Sequence, residues 1–232
     1  MIPVTIPLDD MSRDTALNLA RRLSGSVWGF KVNDLLLSCG VEIIRELKAY
    51  GKVFADPKLH DIPNTVANSV KALVAAGADL ITVHASGGRG MLQAAVSNAG
   101  SARILAVTAL TSLADSDTNE VYGNSPAETV KKFAAIAANT QTHGIVCSPQ
   151  ELELLSKDEL YAKLLKVIPG IRPAWHGKAD DQVRIMTPAL AFEKGASLLV
   201  IGRPITGHAD PSEAVRLIAE ELKNIKSNGP LI

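Results

Sequence analysis

The sequence predicts a single (β/α)8 barrel spanning residues 1–232. Short apolar runs alternate eight times with amphipathic segments, and most of these units take about 25 residues. A chain of 232 residues suits one closed barrel of eight such units. An open doubly wound sheet is the alternative, but no G-x-G-x-x-G motif follows the first strand to support it.

The eight predicted strands are apolar on both faces, as a buried parallel sheet requires. They are residues 4–8, 27–32, 53–54, 80–83, 104–107, 145–146, 164–168 and 198–201. The segments between them show the 3.6-residue period of helices that bury one face. The predicted helices are residues 12–23, 35–50, 63–76, 90–98, 127–139, 149–155, 188–194 and 211–225.

Charge and composition argue against several partners. The chain carries 24 Lys and Arg against 24 Asp and Glu, and no basic block, which disfavours nucleic acid or an acidic membrane surface as a partner. It has no run of about 20 apolar residues, and its first ten residues reach acid too early for a signal peptide. We therefore expect a cytoplasmic protein. Cys39 and Cys147 are expected to be buried, reduced thiols, because they are far apart and form no C-x-x-C motif.

Polar residues collect where the predicted strands end. In a (β/α)8 barrel, reactive groups lie at the C-terminal ends of the strands and in the loops that follow. Core packing does not call for such a cluster of charge. The residues at these positions are Asp9, Lys31, Asp56, Lys58, His84, Thr108, Thr111, Arg172 and Arg203.

The densest part of this rim is the segment that follows the third strand. Asp56 and Lys58 point to the same side of an extended chain, whereas Pro57 points away and is expected to end the strand pairing there. Pro63 suits the first turn of the next helix. Two structural explanations stay open, namely that Asp61 caps this helix and that Asp56 and Lys58 form an exposed ion pair.

The last two connections predict a phosphate site. The loops at residues 111–126 and 169–187 are long for a compact domain, which is typical of functional loops. Gly202 allows a close backbone approach beside Arg203, and barrel phosphate sites are built from the loops after strands 7 and 8. With Arg172 nearby, the pattern favours a phosphorylated small molecule as the ligand.

Four separated segments, in order, resemble the bacterial form of the orotidine 5′-phosphate decarboxylase family. They are residues 56–65 (DPKLHDIPNT), 82–88 (TVHASGG), 169–172 (PGIR) and 201–206 (IGRPIT), and the resemblance runs from Asp9 to the last helix. It implies decarboxylation of orotidine 5′-monophosphate to UMP in pyrimidine biosynthesis, with no metal or organic cofactor, by a homodimer.

The resemblance also implies roles for single residues. Lys31, Asp56, Lys58 and Asp61 would alternate in charge around the reacting carbon, with Lys58 as the proton donor and Asp61 supplied by the neighbouring subunit. The implied substrate contacts are Asp9 and Thr65 with ribose (Thr65 from across the dimer), Thr111 with the pyrimidine, Gln182 with base and phosphate, and Arg172, Gly202 and Arg203 at the phosphate. His84 is expected to be structural, hydrogen-bonded to its neighbours.

The chain departs from the family pattern at two places, and two other functions compete. The family usually has a bulky apolar residue at Pro57 and a glycine at Asn33. A Mg²⁺-dependent enzyme of the 3-keto-L-gulonate 6-phosphate decarboxylase type shares a similar charge motif, and would need an additional carboxylate such as Asp9 or Glu42. A catalytically silent phosphate-binding barrel is the second alternative, disfavoured by a complete charge array.

Overall fold

The chain folds into eight parallel strands that close into a barrel with helices between them. A computed structural model describes residues 1–110, 112–176, 186–223, 225, 228–230 and 232. The strands in chain order are Ile2–Pro7 (β1), Val27–Val32 (β2), Lys52–Leu59 (β3), Leu80–His84 (β4), Arg103–Val107 (β5), Gly144–Val146 (β6), Leu165–Ile168 (β7) and Leu198–Val200 (β8). Each strand pairs with the next in parallel, and β8 pairs with β1, which confirms the predicted barrel.

Helices connect the strands on the outside. They are Arg13–Leu23 (α1), Asp34–Cys39 (α2), Glu42–Leu47 (α3), Pro63–Ala76 (α4), Gly88–Ser97 (α5), Asp115–Tyr122 (α6), Pro126–Asn139 (α7), Leu152–Ser156 (α8), Glu159–Ala162 (α9), Pro188–Glu193 (α10), Arg203–Thr206 (α11) and Pro211–Leu222 (α12). Single 3₁₀ turns occupy Ala85–Gly87, Pro149–Glu151 and Ala174–His176. Among the described residues, no helix is long and apolar enough to cross a membrane.

Two apolar layers hold the barrel together. The inner layer includes Trp28, Phe54, Leu80, Leu105, Leu165, Val167 and Leu198. The outer layer lies between strands and helices and takes the alternate strand residues, such as Val53, Ala55 and Ile81. Because side chains alternate along a strand, Asp56 and Thr82 follow Phe54 and Leu80 on the inner side of the barrel.

Several boundaries differ from the sequence prediction for local reasons. The helix expected at residues 35–50 is two helices, because Gly40 has a φ of +65° that an α-helix cannot continue through. The connection after β5 contains α6, whose first turn carries two acids that favour a helix start. Cys147 is buried as expected, and burial raises its thiol pKa, whereas Cys39 is only half-buried.

Candidate active site

A cavity of about 670 Å³ opens at the C-terminal end of the barrel, within the size range of small-molecule sites. The strand ends place seven of the predicted site residues on its lining: Asp9, Lys31, Asp56, Lys58, Arg172, Gly202 and Arg203. Asp61 and Thr65 are exposed on the segment after β3 and do not line the cavity of their own chain. Thr111 and Gln182 lie outside the described residues.

Asp56 is the centre of an alternating row of charges. Its side chain is only 9% exposed, and its Oδ2 accepts from Lys58 Nζ at 2.8 Å and lies 3.2 Å from Lys31 Nζ. Lys31 Nζ in turn donates to both oxygens of Asp9 at 3.1 Å. The order Asp9, Lys31, Asp56, Lys58 therefore places each cation beside an anion, and the row carries no net charge.

This burial excludes one of the structural explanations left open by the sequence. An exposed ion pair would have both partners in water, but Asp56 is 9% exposed and Lys58 is 36% exposed, and the second lysine beside Asp56, Lys31, is also 9% exposed. A carboxylate out of water requires charged or hydrogen-bonding partners, which the two lysines supply.

The end of β3 is irregular, and this irregularity sets the side-chain directions. Pairing was expected to stop at Pro57, but it resumes at Leu59, which pairs with Val83 beyond a shift in register. Lys58 has a φ of +50°, an unusual conformation for a residue with a side chain. Its backbone N–H donates to the Thr82 hydroxyl at 3.0 Å, and that hydroxyl donates to Asp56 Oδ1 at 2.8 Å.

Asn33 also supports this strand end, although the sequence offered no role for it. Its side-chain amide donates to the backbone carbonyl of Asp56 at 2.6 Å. Asn33, one of the two positions expected to depart from the family pattern, therefore ties the end of β2 to the end of β3. Pro57, the other such position, does not line the cavity, consistent with a side chain that points away from it.

The segment after β3 leads into α4 without a side-chain cap. The residue that caps α4 is Ile62, which makes no side-chain capping bond, and Pro63 occupies the first turn as predicted. Asp61 Oδ1 instead accepts from the Ile62 N–H at 2.6 Å. Asp61 is thus not the N-cap of the helix, and its carboxylate lies on an exposed loop beside Ile62, which is 66% exposed.

Two arginines also lie on the lining of the cavity. Arg172 is buried at 8% exposure, and its Nη1 donates to the Ile171 carbonyl at 2.9 Å. Arg203 begins α11 directly after Gly202. A side chain at Gly202 would place its Cβ 2.9 Å from Pro7 Cγ, so only glycine allows β8 and β1 to approach this closely here.

His84 lies at the end of β4 but does not line the cavity. Its described contact is with the ring of His60, whose centroid is 5.5 Å away, instead of the hydrogen bond expected from the sequence. Burial lowers the pKa of His84, and the positive charges of His60 and Lys58 lower it further, against an opposing effect of Asp56. The ring is therefore held in its neutral form near neutral pH.

The chain matches known proteins along nearly its whole length. The family model for "Orotidine 5'-phosphate decarboxylase / HUMPS family" matches residues 3–218. Curated orotidine 5′-phosphate decarboxylases from Paramagnetospirillum magneticum and Sphingopyxis alaskensis are 43% and 41% identical, over 95% of this chain and 98% and 99% of their own lengths. The crystal structure of orotidine 5′-phosphate decarboxylase from Lactobacillus acidophilus superposes with a TM-score of 0.79 at 36% identity, covering 94% of this chain and 98% of that one. The chain therefore belongs to the orotidine 5′-phosphate decarboxylase / HUMPS family.

Proposed function

We propose that this protein decarboxylates orotidine 5′-monophosphate to UMP and CO2 in pyrimidine biosynthesis. The observation that carries the proposal is the buried carboxylate of Asp56 between two lysines, on the lining of a cavity that also holds two arginines. The names of the relatives that match this chain from end to end support the same substrate.

Lys58 carries the chemical step in this proposal. The bond between carbon 6 of the pyrimidine and the carboxylate breaks, CO2 leaves, and the electron pair stays on carbon 6. The Lys58 ammonium stabilises this developing negative charge and then gives its proton to carbon 6, which leaves a neutral amine that recovers a proton from water. Lys58 suits this role because its Nζ is fixed 2.8 Å from Asp56 while its side chain reaches the cavity.

The other charges of the row position Lys58 and the substrate. Asp56 faces the substrate carboxylate, and two like charges about 4 Å apart repel by about 4 kcal/mol at an effective dielectric of 20. Lys31 holds Asp56 in place and contacts the ribose, and Asp9 binds ribose hydroxyls. We weight the cation at Lys58 above the repulsion, because it acts on charge that exists only as the bond breaks.

The β5, β7 and β8 connections bind the rest of the nucleotide. Arg172 and Arg203, with the backbone at Gly202, bind the phosphate through charge-assisted hydrogen bonds. Thr111 contacts the pyrimidine and Gln182 bridges the base and the phosphate. Phosphate binding would hold these connections closed over the base and exclude water from the reacting carbon.

The site is completed by a second copy of the chain. Asp61 and Thr65 lie on an exposed segment that begins α4 and leaves Ile62 uncovered, as expected of residues that meet a partner. In the proposed homodimer, Asp61 continues the charge row of the neighbouring subunit, and Thr65 binds its ribose. The enzyme is proposed to work in the cytoplasm.

The test is the ultraviolet absorbance of orotidine 5′-monophosphate with purified protein in excess EDTA. The wild type should remove the orotate absorption, Lys58→Ala should not, and Lys157→Ala, which changes a lysine that is 75% exposed, should behave as the wild type. No loss of the orotate absorption without metal would favour the Mg²⁺-dependent sugar-phosphate alternative. Tight UMP binding without turnover under any condition would favour the silent barrel.

A further inference from the structure

The end of β3 contains a bulge opposite a single residue of β4. Ala55 pairs with Ile81 and Leu59 pairs with Val83, so residues 56–58 lie opposite Thr82 alone. Extra residues in one strand leave backbone groups without ladder partners and redirect side chains, and such bulges recur near active sites. This bulge contains both Asp56 and Lys58.

The Thr82 hydroxyl makes two hydrogen bonds whose directions are fixed by chemistry. The backbone N–H of Lys58 can only donate, so Thr82 Oγ1 must accept from it at 3.0 Å. The hydroxyl's single proton is then available to Asp56 Oδ1, 2.8 Å away. Thr82 is fully buried, so water does not compete for either bond.

These two bonds determine which carboxylate oxygen faces the lysines. Because Oδ1 of Asp56 is engaged by Thr82, both lysine contacts fall on Oδ2, at 2.8 Å for Lys58 and 3.2 Å for Lys31. The same hydroxyl holds the backbone of Lys58 in its left-handed conformation, from which the side chain leaves towards the cavity.

We propose that Thr82 is a positioning residue for decarboxylation, which sets the direction of the Asp56 carboxylate and of the Lys58 ammonium together. Thr82 does not line the cavity and acts through the two residues that do. This inference rests on the proposed roles of Asp56 and Lys58. It predicts that removal of the hydroxyl slows the chemical step while nucleotide binding is kept.

The test compares Thr82→Val, which keeps the branched shape, with Thr82→Ser, which keeps the hydroxyl. Loss of a hydrogen bond to a charged group should lower kcat by about ten-fold or more in Thr82→Val. KM and the Kd for UMP should change by less than about three-fold, and Thr82→Ser should recover kcat to within about three-fold of the wild type. A residue that only stabilised the fold would not separate kcat from KM in this way.

Thr129→Val is the matched control, because Thr129 is 1% exposed on α7 and its hydroxyl has no hydrogen-bond partner among the described residues. It should keep the wild-type kcat. If Thr82→Val does not fold, Thr82→Cys replaces it, because a thiol donates and accepts only weakly. A kcat within about three-fold of the wild type in the hydroxyl-free variant, or an equal loss in Thr82→Ser, would overturn the inference. An active Lys58→Ala would instead overturn the proposed function itself.

Discussion

Replacement of Asp56 by asparagine removes the charge that separates two lysines without changing the size of the side chain. The Oδ2 atom of Asp56 lies 2.8 Å from Lys58 Nζ and 3.2 Å from Lys31 Nζ. The two ammonium groups are therefore at most about 6 Å apart, and Asp56→Asn leaves them facing each other with no anion between them.

The geometry sets the size of the expected effect. Two unit charges about 6 Å apart repel by about 3 kcal/mol at an effective dielectric of 20. Because the Lys58 side chain is 36% exposed, solvent screening reduces this to about 1–2 kcal/mol of lost unfolding free energy. The effect on kcat should be larger, about 100- to 1,000-fold, because Lys58 loses the anion that directs it to carbon 6 and the substrate carboxylate loses its repulsion.

Both quantities are measurable on one preparation. Urea unfolding gives the stability, and loss of the orotate absorption gives kcat. Asp14→Asn is the matched control, because Asp14 is 84% exposed in a surface ion pair with Arg13 and should change neither quantity. A kcat of Asp56→Asn within about ten-fold of the wild type would refute the role given to the carboxylate.

Three further predictions concern the phosphate, the dimer and acid stability. Arg203→Ala should lower kcat/KM for the nucleotide by about 10- to 100-fold and for phosphate-free orotidine far less, because only the nucleotide loses a charge-assisted bond. Inactive Lys58→Ala and Asp61→Ala proteins, mixed and allowed to exchange subunits, should recover about a quarter of the wild-type activity, because each mixed dimer contains one intact site. Burial and then the positive charge of Arg103 lower the pKa of His143, whose Nδ1 accepts from the backbone N–H of Ile104. The unfolded chain therefore binds a proton at this ring more readily than the folded chain does. The free energy of unfolding should fall from pH 7.5 to pH 5, and should fall less in His143→Asn.

Each of these has an opposing result. Equal losses on nucleotide and nucleoside would show that Arg203 does not act through the phosphate. No recovery on mixing, with subunit exchange verified by mass, would place Asp61 and Lys58 in the same chain's site. Because the pKa of His143 is lower in the folded state than its ordinary value of about 6.5, its contribution to stability is complete above about pH 6.5 and is lost as the pH falls below that value. If the free energy of unfolding of His143→Asn depends on pH as steeply as that of the wild type, the ring is not a source of acid sensitivity.

The sequence predicted the barrel because its signal is repeated eight times, so that single errors of boundary do not alter the topology. It also placed Asp9, Lys31, Asp56 and Lys58 on one rim of the barrel, because the C-terminal ends of parallel strands lie at the same rim whatever the side-chain conformations are. The prediction that strand pairing ends at Pro57 was wrong, because Leu59 pairs with Val83 beyond it. The backbone N–H of Lys58, which has no ladder partner in the bulge, donates to the Thr82 hydroxyl, and a strand pattern in the sequence does not predict such a side-chain contact. Thr82 stands within the apolar run of β4, where a threonine is also expected for its β-branched shape alone.

The formal charges of the row Asp9, Lys31, Asp56 and Lys58 sum to zero, which limits the part of the substrate on which the row can act. Two acids and two lysines that cancel exert only a weak field beyond a few ångströms, so the row acts on groups beside it and contributes little to attracting an anionic nucleotide. Under the proposed roles, attraction of the phosphate falls to Arg172 and Arg203, two further cations on the cavity lining. Under the proposed roles, Arg172 and Arg203 act through the phosphate, and Asp56 and Lys58 act at the reacting carbon. Loss of either arginine should therefore impair mainly the phosphorylated substrate, whereas loss of Asp56 or Lys58 should impair turnover with or without the phosphate.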